Sequence, residues 1–195
     1  MRWLILFALL AGCVLPTPEA AGDGRAPSRP QAPPDLRPLA ERVHDRANGA
    51  RRRAGEPPLR WSDALAGVAR AHSRDMARRG YFDHVSPEGA TANDRALEQG
   101  VDCRVDLRGG RSRVGVSENL YQGWRYGRVW TRQTAEGTTR TYEWLTPDEI
   151  ARQSVDGWLD SPGHRRNLLD RVSTAHGIGV ATGRDGRVYV TQVLC

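Results

Sequence analysis

The residues of this chain best suited to chemistry are its five histidines, His44, His72, His84, His164 and His176. Two of them share a setting. His84 lies in "DHVSPEG" and His164 in "LDSPGHRRN", each beside a proline-containing turn, and such a turn fixes a short stub of backbone from which a side chain is aimed. Two imidazoles and one carboxylate around an open coordination position make a minimal zinc site, loosely held without a third strong ligand. The alternative for the His164 segment is a plain loop. Zinc requires neutral imidazole, so binding at such a site should weaken below about pH 6.5.

Other chemistries are excluded by what is missing. All 29 basic residues are arginine, so a phosphate-binding Walker loop, a Schiff-base lysine and a Ser-x-x-Lys nucleophile cannot be built. There is no His-Glu-x-x-His and no Cys-x-x-Cys pair, and Ser117 in "GVSEN" lacks the second glycine of a Gly-x-Ser-x-Gly elbow. The net charge of +6 favours anionic surfaces, but the arginines are scattered and form no nucleic-acid module, so no nucleic-acid partner is expected.

The elements that must position these side chains follow from periodicity and caps. Leu36, Leu39, Ala40, Val43, Ala47, Ala50 and Ala54 recur at helical spacing and predict a helix over about 36–54, carrying His44. A second helix starts at the cap Ser62, buries Leu65, Val68, Ala69, His72 and Met76, and stops at Gly80. His72 is therefore expected to be a packed core histidine. A turn at Ser86–Gly89 and a short helix over Thr91–Gln99 follow, whereas periodicity leaves the Glu118 segment unassigned. Alternation on both sides of Ala135-Glu136-Gly137 predicts a β-hairpin over about 124–145. Thr146-Pro147-Asp148-Glu149 combines a cap, a proline at the first position and a reciprocal glutamate, and starts the helix that ends in the Ser161-Pro162-Gly163 turn. Two terminal strands joined at Arg184-Asp185-Gly186 complete a helix-flanked antiparallel sheet. His176 begins the first of them.

The first 13 residues, "MRWLILFALLAGC", place one cation before an apolar stretch too short to span a bilayer. Residues 1–12 are expected to be a lipoprotein signal peptide and Cys13 the lipidated first residue of the mature chain, with an ordinary signal peptide as the alternative. Residues 13–35 are rich in Pro, Ala and Gly and should form an extended tether. Export makes a Cys103–Cys195 disulfide the natural expectation, against two buried thiols. It would close a loop of about 90 residues, for which chain entropy gives about 4–5 kcal/mol.

The ordered segments "ANGARRRAGEPPLRW", "ARAHSRDMARRGYFDHVSPEG", "VSENL", "VDGWLDSPGHRRNLL" and "GIGVATGRDGRVYVTQVL" resemble the CAP superfamily in its bacterial form. This group takes in SCP-like extracellular domains, cysteine-rich secretory proteins, antigen 5 and pathogenesis-related protein 1. The resemblance covers about residues 36–195. It implies an α+β fold, a three-layer α-β-α sandwich with a central antiparallel sheet, and a cleft gathering His84, Glu118 and His164. Arg165 and Asn167 would pin the turn after His164. Two departures stand out: Ser161 occupies the place where animal members carry a second glutamate, with Asp160 adjacent, and residues 123–145 form an insertion. The aromatic residues of that insertion, Trp124, Tyr126, Trp130, Tyr142 and Trp144, would wall the cleft, offer a partner surface, or pack the hairpin onto the domain.

The resemblance names no reaction. The expectation is a monomeric, membrane-anchored lipoprotein of the bacterial envelope, periplasmic or at the cell surface. It would bind a lipid or other envelope component, with zinc or another divalent metal held by His84 and His164. The alternative is a metal-dependent hydrolase in which Glu118 serves as general base on a bound water.

Overall fold

The computed structural model describes residues 32–195 apart from Arg108. The expected signal peptide, Cys13 and nearly all of the tether lie outside the described residues. The helices are α1 (Leu39–Arg53), α2 (Asp63–Arg79), α3 (Ala92–Glu98), α4 (Pro147–Asp160) and α5 (Pro162–Leu168). The strands are β1 (Arg60–Trp61), β2 (Arg104–Asp106), β3 (Ser112–Val114), β4 (Ser117–Trp124), β5 (Tyr126–Thr134), β6 (Gly137–Trp144), β7 (Ala175–Thr182) and β8 (Arg187–Leu194).

Local chemistry sets the helix ends where it was expected to. The Ser62 hydroxyl accepts from Leu65 N–H, and Gly80 closes α2 in the left-handed conformation. Thr91 with Asp94 and Thr146 with Glu149 form reciprocal capping boxes for α3 and α4. The segment after α4 differs from the turn read in the sequence. Pro162 and Gly163 are the first residues of α5, and His164 stands in its first turn. Proline at a helix start loses no hydrogen bond and has its φ already set, so Ser161 both closes α4 and opens α5.

The main sheet has the order β1-β7-β8-β4. β4, β8 and β7 are antiparallel, and the two-residue β1 adds a parallel edge. One helical layer, α1 with α4 and α5, packs Leu39, Val43, Ile150, Trp158 and Leu168 on Ile178, Val188 and Val190 of the sheet. The other, α2 with α3, buries Leu65, Val68, Ala69 and Ala96 against Val193, while Met76 meets Leu120 and Tyr189. This is the three-layer sandwich. α2 lies directly on β7 because Gly177 and Gly179 have no side chains: a Cβ on Gly177 would fall 1.9 Å from Ala66 N, and one on Gly179 2.1 Å from the Ala69 carbonyl carbon.

The short β2–β3 ribbon follows Cys103, which is bonded to Cys195 as expected. The predicted hairpin is also present, as a separate two-stranded sheet of β5 and β6 with Ala135-Glu136 at its tip. Among the described residues no helix is long and apolar enough to cross a membrane.

Candidate functional site

β4 is an edge strand, and the site forms where the two helical layers meet beyond it. Glu118 comes from the start of β4, His84 from the loop between α2 and α3, and His164 from α5. The structure brings these three side chains together. His84 Nδ1 lies 2.9 Å from Glu118 Oε1, and His84 Nε2 lies 3.5 Å from His164 Nε2. The His84 side chain is 49% exposed and that of Glu118 only 3%, so the imidazoles face solvent and the carboxylate stands behind them.

Each position has a visible cause. Arg95, from α3, donates from Nη2 to Glu118 Oε2 at 2.8 Å and from Nη1 to the carbonyls of His84 and Ala90. One buried guanidinium thus neutralises the carboxylate and shapes the histidine loop. His72 is fully buried, as its place on the apolar stripe predicted. Its Nε2–H donates to Asp83 O at 2.9 Å, fixing the residue before His84, and burial depresses its pKa. On the other side, Asn119 Nδ2 donates to His164 O, while Asn167 Nδ2 donates to Glu118 O and to Asn119 Oδ1. Asn167 therefore stitches α5 to β4, not to the turn that follows it. Among the described residues no side-chain hydrogen bond of Arg165 serves that turn, and the position is exposed.

Arg95, Asn119 and Asn167 complete the site, yet only Asn167 was singled out by the sequence, and for another partner. Arg95 carries no local signal, because its targets lie on a loop and on a strand 23 residues away.

Glu118, whose Oε2 is taken by Arg95, accepts from His84 Nδ1–H through Oε1, and this bond turns His84 Nε2 toward His164. The pKa of His164 is lowered by burial first and by the neighbouring His84 second, which favours neutral imidazole at that position. Two nitrogens that share one tetrahedral zinc stand about 3.3 Å apart, given Zn–N bonds of about 2.0–2.1 Å. The observed 3.5 Å fits that demand. Among the described residues no group of three His, Cys, Asp or Glu is arranged to hold a metal.

Glu118 is not placed as the hydrolase alternative required. Both of its oxygens are engaged and its side chain is buried, so it orients His84, as a carboxylate behind a metal-binding histidine does. Nor does the insertion wall the cleft at its root. The hairpin springs from the far end of β4, about six residues beyond Glu118 and so about 20 Å away along the strand.

The sequence pattern of CAP, the cysteine-rich secretory protein family, matches residues 44–194. The chain is similar to Uncharacterized protein YkwD of Bacillus subtilis (strain 168), 26% identical over 163 residues, which is 84% of this chain and 49% of that protein. It is 30% identical over 152 residues to Uncharacterized membrane protein YlbC of the same organism, covering 78% of this chain and 33% of that one. The chain thus spans half or less of these relatives. Among solved structures it is similar to an extracellular protein containing a SCP domain from Bacillus anthracis, with 28% identity, a TM-score of 0.54 and coverage of 80% of this chain and 39% of the other. An outer surface protein from Borrelia burgdorferi shares the fold at 16% identity, with a TM-score of 0.57 and coverage of 82% of this chain and 93% of the other. The family match spans most of the chain and both helical layers, and the chain belongs to the CAP, or cysteine-rich secretory protein, family.

Proposed function

We propose that this protein is an exported, lipid-anchored binding module of a bacterial cell envelope, whose cleft takes a divalent metal, zinc being the best fit, together with a lipid or other envelope ligand. The observation that carries the reading is the approach of His84 Nε2 to His164 Nε2 at 3.5 Å in the open cleft, with a buried carboxylate fixing the orientation of His84. Export is supported by the signal-like first residues, by the Cys103–Cys195 disulfide and by the extracellular and surface origin of the structural relatives. An apolar ligand is supported by Phe82 and Val85, which are 45% and 42% exposed on the loop that carries His84. Two protein ligands leave positions at the metal for a group of that ligand.

Calorimetric titration with zinc tests the metal. The wild type should bind with an affinity that His164→Ala lowers at least about tenfold. Glu118→Gln should lower it about 10–100-fold through loss of the orienting carboxylate. Equal affinity in wild type and His164→Ala would overturn the site.

A further inference from the structure

The end of the domain remote from the cleft combines aromatic rings, arginines without ion-pair partners and the point where the preceding chain arrives. Trp124, Tyr126, Tyr142 and Trp144 form a continuous aromatic cluster at the hairpin base, with ring centroids 5.4 Å apart for Trp124–Tyr126, 5.0 Å for Tyr126–Tyr142 and 4.9 Å for Tyr142–Trp144. Pairing sets Val129 opposite Tyr142 on one hairpin face, and Trp124 and Val129 are exposed. Arg125 lies over the Trp144 ring and donates to Pro34 O at 2.8 Å, so the arriving chain is fastened to the hairpin base.

The same region borders a surplus of positive charge. Leu36 and Arg37 share a hollow of about 420 Å³ with Arg70 and Arg74 of α2. Arg74 also lines a neighbouring cavity of about 590 Å³ with Arg184 of the β7–β8 turn, and that turn receives a hydrogen bond from Arg125 N–H to Gly186 O. The nearby carboxylates are already matched, Asp35 by Arg37, Asp75 by Arg78 and Arg79, and Asp185 by Arg187. Arg70, Arg74 and Arg184 make no ion pair with any described residue.

We propose that this end of the domain rests on an anionic lipid surface, with Trp124 and Val129 entering the headgroup region and Arg70, Arg74 and Arg184 meeting lipid phosphates. Amphipathic rings settle at membrane interfaces and each exposed arginine adds attraction to anionic lipid. The identity of the surface rests on the anchored reading above, because Pro34, near the start of the described residues, meets this patch. Docked so, the domain would turn the His84–His164 cleft away from the bilayer.

The test uses the full chain with Cys13→Ala, so that surface binding is scored apart from acylation, which the mass of the mature wild-type protein reports separately. Flotation with vesicles of phosphatidylcholine alone and of phosphatidylcholine with one quarter phosphatidylglycerol should show at least about tenfold tighter binding to the anionic vesicles at about 0.1 M salt. The preference should vanish near 1 M salt, where charges are screened within about 3 Å. The triple variant Arg70→Ser/Arg74→Ser/Arg184→Ser removes side chains that hold no ion pair in the fold and should abolish it. Trp124→Ser/Val129→Ser should weaken binding to both vesicles. The first residues, which include Arg2, are the same in the parent chain and the triple variant and drop out of that comparison. Equal binding to the two vesicles, or a preference that survives the triple variant, overturns the proposal. So does saturable binding to isolated peptidoglycan without vesicle preference, which would assign the patch to glycan.

Discussion

The molecule contains two histidine pairs, and their contrast separates a site from a structural joint. His84 and His164 face each other at 3.5 Å in the open cleft. His44 and His176 meet across α1 and β7 at 2.7 Å, beside Trp61, with His176 fully buried. The second pair is held from both sides: Gln192, positioned by Asn119, sets its Nε2 2.8 Å from His176 Nδ1, and Asn48 sets its Nδ2 3.3 Å from His44 Nε2. A separation of 2.7 Å holds one proton and excludes a metal, which needs about 3.3 Å. Pairing of imidazoles alone therefore says little. Distance, exposure and a carboxylate behind the ring decide which pair can take a ligand.

The largest perturbation removes the platform on which both pairs stand. Gly177→Ala would place a methyl 1.9 Å from Ala66 N, and neither backbone can yield without parting α2 from β7. We expect a loss of more than about 4 kcal/mol, enough to abolish soluble expression or cooperative melting. A variant that melts like the wild type would show that the two elements are not in such close approach.

Next, the pairs should differ sharply on truncation. His176→Ala leaves a cavity and strands the amide of Gln192, costing about 3 kcal/mol and lowering Tm by about 6–12 °C. His164→Ala, in a half-open position, should cost less than about 0.5 kcal/mol while removing zinc binding. Equal Tm shifts for the two variants would dissolve the contrast.

A smaller and graded effect comes from pH. Burial, then the neighbouring His44 and Arg51, hold the pKa of His176 down to about 3, against about 6.5 unfolded. The unfolded chain therefore binds the extra proton between these values. The contribution of His176 to stability is complete above about pH 6.5 and is lost as pH falls toward about 3. Between about pH 6.5 and 5 the loss is about 2 kcal/mol. Denaturant melts of the wild type and His176→Gln across this window should converge as pH falls. Parallel curves would mean that His176 titrates normally.

Legibility in the sequence followed the range of each interaction. Ser62, Thr91 and Thr146 act within four residues of themselves, so their helices could be read directly, as could the hairpin about Ala135-Glu136. α5 was missed because Ser-Pro-Gly suits both a turn and a helix start. β1 and the β2–β3 ribbon are two or three residues long and show no period. The proline-containing turns single out His84 and His164, but Glu118 and the grouping of all three come from the resemblance, since no spacing rule joins residues 34 and 80 positions apart.

The sequence by itself determined the caps, the amphipathic stripes, the hairpin and the family, because these depend on neighbours along the chain or on the order of motifs. Only the tertiary structure decided which histidines meet and at what distance, that Arg95 holds the buried carboxylate, and that the aromatic hairpin roots away from the cleft. Those outcomes depend on how two helical layers close around a sheet edge, and a one-dimensional pattern does not carry that geometry.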